Sequence, residues 1–380
     1  GVQTCALPIY FRFLKESGVN LLRVPFSYHL FIDDENPHTY KEEGFRYLDR
    51  LLALCREYEI FLMPDLHTTP GGQNPDWHSD NMTGVPQFWH FRIFQEQIRD
   101  LWRAIAERYK EEPFLLGYDL LNEPFLMPKK EGVLNAFLEE VTKAVREVDP
   151  NHIIFIEGDF FSMDFTDIRL PRDEQTALTF HFYPTVWDKD LMNKDYDAAE
   201  RIRKMDEQLG GFAALRDTFN RPALCGEAGV DIKKEDLPFT MQLLDETLGL
   251  FQKHSLSWTL WSYKDAQWMG LAYPGSHTGW MKLASRIREK WSHYGQMQIA
   301  DEIMEEMGRR YTGPISRELK YELQFQLRGV LYRMEEEYIL KPALQEFTRD
   351  EIMAMPESFR FENCEFYEEY RELLKRYSWK

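Results

Sequence analysis

Two glutamates, Glu123 and Glu227, each end a short apolar run that is typical of a buried strand. The first run covers 115–123 and the second covers 222–227. A carboxylate at the carboxyl end of a parallel strand faces the pocket of an α/β fold, where catalytic groups collect. A pair of such carboxylates is what hydrolysis of a glycosidic bond requires. Taken alone, either glutamate has a structural alternative, as the ion-pair partner of an Arg or Lys.

Further polar and aromatic residues lie at or near the carboxyl ends of the predicted strands. Each has a structural explanation when it is taken alone, such as an ion pair for an Arg or core packing for a Trp. Their recurrence at one end of successive strands predicts an active site, because a barrel places its active site there. In chain order these candidates are Arg23, His67, Asn122, Glu123, His181, Tyr183, Glu227 and Trp261.

Short β-rich runs alternate with amphipathic helical stretches along most of the chain, a pattern that predicts parallel βαβ units. Seven strands are predicted, one fewer than the eight of a (β/α)8 TIM barrel. We therefore expect such a barrel without its first strand, which would have preceded the amino-terminal end of this sequence. A doubly wound open sheet is the alternative, but its GxGxxG turn is absent. The predicted strands cover 20–26, 60–66, 115–122, 152–157, 177–183, 223–227 and 257–262.

The last part of the chain has a different pattern. From about Met281 onward we predict no strands, and helical periodicity with dense Glu, Lys and Arg covers 299–311, 317–339 and 365–377. These charges are most simply a solvated face of a helical C-terminal extension, and an oligomer contact is the alternative.

These patterns predict three segments. Residues 1–9 are similar to the in-frame translation of a sequencing-library adapter and are excluded from the fold. Residues 10–285 form the barrel, and 286–380 form the helical extension. We expect genuine sequence to begin at about Tyr10, inside a helix, so the missing native start leaves the cellular compartment open.

Composition narrows the classes of function. The chain has 380 residues, 43% of them hydrophobic and 15% aromatic, so it can bury a large core. A formal net charge of −18 repels phosphate backbones, which argues against nucleic-acid binding. No apolar run approaches the roughly 20 residues that span a bilayer, which predicts a soluble protein. Four scattered cysteines without a CxxC motif suit either a reducing compartment or secretion.

Metal-dependent hydrolysis on the same kind of barrel is a further alternative. It requires clustered His and Asp ligands at strand ends, for example a His-x-His motif. The ten histidines of this chain are scattered and form no such motif. We therefore expect neither a metal nor another cofactor.

The candidate residues lie in motifs whose ordered set resembles glycoside hydrolase family 5, the cellulase-like retaining β-glycosidases of clan A. The resemblance covers about residues 11–265 and leaves the C-terminal helices outside it. The motifs are Asn20-Leu21-Leu22-Arg23-Val24-Pro25, Asp65-Leu66-His67, Pro70-Gly71-Gly72-Gln73-Asn74, Leu121-Asn122-Glu123-Pro124, His181-Phe182-Tyr183-Pro184, Cys225-Gly226-Glu227 and Trp258-Thr259-Leu260-Trp261.

The resemblance implies a role for each matching residue. Glu123 corresponds to the general acid/base and Glu227 to the nucleophile. One departure is Ala228, since Phe-Gly often follows the nucleophile in the family. The other matches contact the sugar or orient the nucleophile: Asn122 at the sugar 2-hydroxyl, Arg23 and Tyr183 beside the nucleophile, the active-site histidines His67 and His181, and Trp261 beneath the sugar.

The two glutamates need different charge states for these roles. The nucleophile must stay ionised, and a guanidinium such as that of Arg23 lowers a neighbouring carboxyl pKa. The acid must carry a proton, which burial and a like-charged neighbour promote. We therefore expect the pKa of Glu123 to be raised.

Substrate binding is expected to use aromatic residues, because sugar rings have apolar faces that stack on them. Trp77 and Trp268, together with Trp280, are predicted to form flanking subsites. The expected partner is an oligosaccharide or polysaccharide with β-glucosidic bonds, as in a β-glucan, cello-oligosaccharide or β-glucoside. A β-mannan or glycolipid substrate is the alternative within the family, and a non-catalytic carbohydrate-binding barrel is the alternative outside it.

Overall fold

Seven parallel strands form one curled sheet in the computed structural model, which describes residues 7–291 and 296–378. Neighbours in the sheet follow one another in the order of the chain, as they do in a (β/α)8 barrel. The strands are β1 (Leu21–Ser27), β2 (Phe61–Thr68), β3 (Gly117–Asp119), β4 (Ile153–Glu157), β5 (Thr176–Phe182), β6 (Ala223–Ala228) and β7 (Ser257–Trp258).

Helices alternate with these strands, and more helices follow the last strand. The described helices include none that is long and apolar enough to cross a lipid bilayer. Those of ten or more residues are α1 (Leu7–Glu16), α2 (Glu42–Tyr58), α3 (Arg92–Tyr109), α4 (Val133–Arg146), α5 (Ala198–Ala213), α6 (Leu237–Lys253), α7 (Gly279–Trp291), α8 (Gln296–Met307), α9 (Arg317–Glu335) and α10 (Glu368–Tyr377). Shorter helices are Asp159–Ser162, Pro184–Trp187, Leu215–Phe219, Lys341–Leu344 and Arg349–Ala354. The predicted barrel-type fold with a helical C-terminal region is confirmed.

The core lies between the sheet and its helices. Helix α3 shows why the sequence folds this way: Ile98, Leu101, Trp102 and Ile105 recur at helical spacing and are fully buried. Burying each such side chain contributes about 1.5–3 kcal/mol. The indole of Trp102 also donates to the carbonyl of Leu120, at 2.9 Å, just beyond the end of β3. Helix packing thus fixes the chain where it enters the candidate site.

The curled sheet is open along one side. Within the described residues, β1 and β7 are the two edge strands and are not paired with each other. A cavity of about 370 Å³ lies between them. Its lining includes Leu22, Trp258 and Leu260, and it extends to Arg23 and Glu227.

The C-terminal region contains a short strand that was not predicted, in addition to the short helices Lys341–Leu344 and Arg349–Ala354. A short strand, β9 (Cys364–Phe366), pairs antiparallel with β8 (Ala272–Pro274), so the prediction of no strands beyond about Met281 is wrong. A strand of three residues is too short to show a period of two in the sequence. The following helix, α10, packs Tyr370 and Leu373 into the main core.

Two predicted strands are shorter than expected, and both end beside the candidate site. β3 ends at Asp119, because the residues that follow do not continue its regular strand pairing. The N–H of Asn122 instead bonds to the carbonyl of Leu66 at 2.9 Å. β7 ends at Trp258, and the N–H of Trp261 bonds to the carbonyl of Ala228 at 2.7 Å. The site residues after each strand are therefore held by loop hydrogen bonds.

Candidate active site

Arg23 is the centre of a buried charge cluster at the carboxyl ends of the strands. Its side chain is 3% exposed and projects from β1. Burial disfavours the cation, but the surrounding carboxylates outweigh this and raise the pKa of Arg23 well above its ordinary value. Its partners are Glu227 Oε1 (2.7 Å), Asp119 Oδ2 (2.8 Å), Asn122 Oδ1 (2.9 Å), Glu157 Oε1 (3.0 Å) and Asp65 Oδ1 (3.1 Å).

The carboxylates around Arg23 outnumber the cation. Asp65, Asp119 and Glu157 each place an oxygen within 4.8 Å of the others, a spacing that would also suit metal ligands. The guanidinium of Arg23 already contacts all three, so this group has its own cation. Burial raises the pKa of Asp119 well above its ordinary value, and Glu157 and Asp65 add to this effect against the opposing charge of Arg23.

Glu227, at the end of β6, is held by two donors. Arg23 Nη1 lies 2.7 Å from Oε1, and the hydroxyl of Tyr183 donates to Oε2 at 2.9 Å. Burial raises the pKa of Tyr183 well above its ordinary value, and the negative charge of Glu227 raises it further. Tyr183 therefore remains a hydroxyl donor. A guanidinium and a phenol hydrogen bond are the partners that an ionised carboxylate requires.

The carboxylate of Glu123 is held by two histidines, and its backbone N–H is held by Glu157. His181 Nδ1 lies 2.6 Å from Oε1, and His78 Nε2 lies 2.7 Å from Oε2. The backbone of Glu123 is in the left-handed region, with φ +47°, and its N–H donates to Glu157 Oε2 at 2.6 Å. Glycine is favoured in this region, so a glutamate there is strained and has to be held by its surroundings.

The charge state of Glu123 differs from the expected one. Burial favours the protonated acid, but the charges and hydrogen bonds of His78 and His181 outweigh it, so the pKa of Glu123 is lowered. The expected rise followed from burial and a neighbouring carboxylate, whereas two imidazoles also contact Glu123. Both imidazoles lie one hydrogen bond away from the Glu123 carboxylate, in position to exchange a proton with it.

The two glutamates face each other across His181. One carboxylate oxygen of Glu123, one of Glu227 and a ring nitrogen of His181 lie within 4.8 Å of one another. His181 Nδ1 is 2.6 Å from Glu123 Oε1 and 3.7 Å from Glu227 Oε2. Burial disfavours the imidazolium, but Glu227, Glu157 and Glu123 together raise the pKa of His181 well above its ordinary value.

Asn122, His67 and Trp261 complete the group that the sequence predicted around the carboxylates. The amide oxygen of Asn122 accepts from Arg23, while its buried Nδ2 has no hydrogen-bond partner among the described residues. His67 Nδ1 lies 2.8 Å from Asp65 Oδ2. The His67 ring stacks on the Trp261 ring, with centroids 5.6 Å apart and planes 12° from parallel. Trp261 is therefore held in a fixed orientation.

The three tryptophans predicted for flanking subsites are exposed. Trp77 is 54% exposed, Trp268 is 46% exposed and Trp280 is 38% exposed, in a protein whose other large aromatic side chains are mostly buried. Trp77 begins a 3₁₀ turn, Trp77–Ser79, that also contains His78. Trp268 lies in the loop after β7, where its N–H donates to Asp265 at 2.9 Å. Both are half-exposed aromatic surfaces of the kind that binds sugars.

Four residues in the site were missed by the sequence analysis. Glu157 ends β4 in the same way as the two candidate glutamates end their strands, so the same rule would have found it. Asp65 and Asp119 are acidic residues inside apolar strand runs, which is an unusual position that needs a partner. His78 lies in a loop, and no spacing in the sequence connects it to Glu123.

Residues 6–267 match the family model of Cellulase (glycosyl hydrolase family 5). A β-xylosidase of Phanerodontia chrysosporium is 31% identical to this chain, over 93% of the chain and 79% of the relative. Endoglucanase C of Acetivibrio thermocellus is 25% identical, over 66% of the chain and 82% of the relative.

Solved structures show the same fold. The structure of Thermotoga maritima Cel5A in complex with cellobiose aligns with a TM-score of 0.58 at 19% sequence identity. The alignment covers 70% of this chain and 84% of that chain. At this identity the likeness concerns the architecture of the barrel.

Proposed function

Because the chain belongs to glycosyl hydrolase family 5, and is therefore a glycoside hydrolase, we propose that it cleaves β-glucosidic bonds with retention of configuration. The proposed substrates are a β-glucan, a cello-oligosaccharide or a β-glucoside. The proposed route is double displacement, with Glu227 as the nucleophile and Glu123 as the acid/base. We assign these roles to the barrel, residues 10–285, and a supporting role to 286–380.

The separation of the two carboxylates is the observation that supports retention. One oxygen of each lies within 4.8 Å of the other. Retaining enzymes have carboxyl groups roughly 5–5.5 Å apart, whereas inverting enzymes need about 6.5–9.5 Å to admit a water molecule between carboxylate and sugar. The hydrogen bonds from Arg23 and Tyr183 also fix the position of both Glu227 oxygens beside Glu123.

The first step forms a bond between a Glu227 oxygen and the anomeric carbon. The bond from that carbon to the glycosidic oxygen breaks, and the leaving oxygen takes a proton from Glu123. We assign the source of this proton to the imidazoles of His181 and His78, which lie within hydrogen-bond distance of the Glu123 carboxylate. The product is a covalent glycosyl-Glu227 and a free leaving group.

The second step hydrolyses this intermediate. Glu123, now a carboxylate, removes a proton from water while the water oxygen bonds to the anomeric carbon. The bond to Glu227 breaks, and the sugar leaves with its original configuration. The hydroxyl of Tyr183 and the guanidinium of Arg23 receive the returning carboxylate charge.

The surrounding residues are assigned to binding the sugar. Asn122 Nδ2, which is buried without a partner among the described residues, donates to the sugar 2-hydroxyl. Trp261 lies beneath the sugar ring and is oriented by His67. The exposed rings of Trp77 and Trp268 serve flanking subsites. A β-mannan or glycolipid substrate would use the same two carboxylates.

A β-xyloside is the second candidate substrate, on one observation. The alignment with the P. chrysosporium β-xylosidase covers 93% of this chain, so it must include most of 286–380 as well as the barrel. The alignment with endoglucanase C covers only 66% of the chain. A relative whose alignment includes most of the C-terminal region is thus named as a β-xylosidase.

The test is intact-mass analysis after incubation with activated 2-fluoro-glucosides, 2-fluoro-xylosides and 2-fluoro-mannosides. A fluorine at C2 slows the second step, so the glycosyl-enzyme accumulates. We expect one added glucosyl mass on the parent and none on Glu227→Gln. A xylosyl or mannosyl adduct would change the sugar but keep the mechanism.

Two outcomes would overturn the proposal. Hydrolysis of an unmodified substrate to the inverted anomer, followed by NMR, would exclude the covalent route. A folded sample that forms no adduct and hydrolyses none of these sugars would instead indicate a non-catalytic carbohydrate-binding barrel. A cooperative melting transition for each variant shows that the sample is folded.

A further inference from the structure

A helix of the C-terminal region reaches the active-site side of the barrel. Arg328, on α9, places Nη1 2.9 Å from Asp76 Oδ2. Both side chains are mostly buried, 14% and 15% exposed, so this ion pair is shielded from water. A shielded pair with hydrogen-bond geometry resists disruption far more than a surface pair does.

Asp76 connects Arg328 to the turn that carries His78. The other carboxylate oxygen, Oδ1, accepts the N–H of Trp77 at 2.8 Å and thereby caps the Trp77–Ser79 turn. Asn74 Oδ1 accepts the N–H of Asp76 at 3.0 Å. The next residue after Trp77 is His78, whose Nε2 lies 2.7 Å from Glu123 Oε2. One carboxylate therefore binds both the C-terminal helix and the turn.

Helix α9 packs tightly against the loop that contains Asp76 and Gly84. A Cβ added to Gly84 would lie 2.8 Å from the Cα of Gln326, and one added to Gly329 would lie 2.9 Å from the carbonyl oxygen of Met82. Two glycines at one interface allow the two backbones to touch. The loop and the helix thus behave as one packed unit.

An aromatic cluster joins the same helix to the other side of Glu123. Phe325 of α9 packs against Phe125, two residues after Glu123, with ring centroids 6.1 Å apart. Phe325 also contacts Phe161 at 5.7 Å, and Phe161 lies 6.0 Å from the ring of His78. The helix therefore contacts the segment that follows Glu123 directly, and it reaches His78 through the ring of Phe161.

We propose that Arg328 is a positioning residue for the general acid/base: through Asp76 it holds the turn that presses His78 against Glu123. This inference rests on the proposed acid/base role of Glu123. It assigns the C-terminal helix a part in proton delivery to the leaving group, beyond packing on the barrel.

The test separates proton delivery from general stability by changing the leaving group. Hydrolysis of a phenyl β-glycoside needs a proton on the leaving oxygen, whereas 2,4-dinitrophenol leaves without one. General acid catalysis contributes about 10²–10⁴-fold, so loosening the acid should cost a part of that, about tenfold in kcat/KM for the phenyl glycoside. We expect Arg328→Ala to lose this and to change the dinitrophenyl rate by no more than about twofold.

Three further variants make the result specific. Asp76→Asn removes the same ion pair from the loop side and should show the same dependence on the leaving group. Arg328→Lys keeps a cation near Asp76 and should recover most of the phenyl rate. Arg333→Ala changes an exposed arginine on the same helix and should change neither rate. Equal losses on both substrates, or no loss for the phenyl glycoside, would overturn the proposal.

A second readout applies even if the parent hydrolyses neither glycoside, an outcome that would count against the proposed function. The charged groups facing His78 are Glu123, Asp76 and Glu227, and the ring of His67 lies 6.1 Å away. Burial lowers the pKa of His78, but Glu123, Asp76 and Glu227 outweigh it and leave the pKa raised. NMR titration of His78, assigned with His78→Ala, should show a fall toward about 6.5 in Arg328→Ala. An unchanged titration would overturn the proposal.

Discussion

The carboxylate of Glu157 accepts a hydrogen bond from the backbone N–H of Glu123, with 2.6 Å between Oε2 and the nitrogen. This bond holds a residue whose φ of +47° is unfavourable for a side chain with a Cβ. The other oxygen of Glu157 accepts from Arg23 at 3.0 Å. One buried glutamate thus joins the backbone of the proposed acid/base to the cation beside the proposed nucleophile.

We expect Glu157→Ala and Glu157→Gln to differ. Alanine leaves the N–H of Glu123 without an acceptor, and a buried unsatisfied group costs about 1–3 kcal/mol. Glutamine retains one acceptor oxygen, which can accept from the N–H of Glu123 while its amide nitrogen replaces the oxygen that faces Arg23, so its cost should be smaller than that of alanine. Urea unfolding gives the two free energies, and kcat/KM should fall much further for alanine. Equal effects of the two substitutions would contradict this role of the hydrogen bond.

Removing the hydroxyl of Tyr183 should weaken the proposed nucleophile. Its bond to Glu227 Oε2 is 2.9 Å, and a hydrogen bond to a charged group contributes about 1.5–3 kcal/mol. Tyr183→Phe is therefore expected to lower kcat/KM by about 10–100-fold. Tyr263→Phe is the matched control, because the buried hydroxyl of Tyr263 has no hydrogen-bond partner among the described residues. A similar loss in both variants would indicate a general packing effect.

Replacing Arg23 should destabilise the fold more than replacing another buried arginine. Removing one partner of a buried ion pair costs about 3–5 kcal/mol, and Arg23→Met would leave four carboxylates facing one another. Arg201→Met is the comparison, since buried Arg201 forms its bidentate pair with the single carboxylate of Glu246. We expect the larger loss in the free energy of unfolding for Arg23→Met, decreasing toward acid pH. A smaller loss than for Arg201→Met would show that the cluster does not depend on Arg23.

Strand ends made most of the site predictable. Glu123 and Glu227 follow from apolar runs that end in a polar residue, since the ends of parallel strands converge, whereas Arg23 was found as a charged residue inside its strand. Glu157 obeys the same rule and was missed because it was read only as the end of a strand. His78 could not be found in this way, because its distance from Glu123 depends on the fold of a loop and on a helix more than two hundred residues further along the chain.

Charge states were the part that the sequence could not give. The sequence predicts a raised pKa for Glu123 from burial and from the neighbouring carboxylate of Glu227. Both causes can be inferred from the two glutamates alone. The structure adds His78 and His181 to the same carboxylate, and these reverse the direction of the shift. Strand β9 could not be predicted for a similar reason, since it forms only through pairing with β8.

The contact between His181 and Glu123 also predicts how stability depends on pH. His181 has a pKa raised well above its ordinary value of about 6.5, despite burial, because Glu227, Glu157 and Glu123 surround it. The folded state then binds more protons than the unfolded state, so the stabilisation is complete below about pH 6.5 and is lost as pH rises through the folded pKa. We expect the free energy of unfolding to fall above about pH 6.5, by up to about 1.4 kcal/mol per pH unit for this group.

His181→Gln should remove that part of the slope, measured by urea unfolding at a series of pH values on both sides of about 6.5. His29→Gln is the control for the substitution itself, since it makes the same change at an exposed histidine. Asp119 and His78 also have raised pKa values and contribute to the slope of the parent. The contribution of His181 is therefore the difference between the slope of the parent and that of His181→Gln. Equal slopes in the parent and in His181→Gln would mean that His181 is neutral in the folded protein. Glu123 would then have to draw its proton from His78 alone.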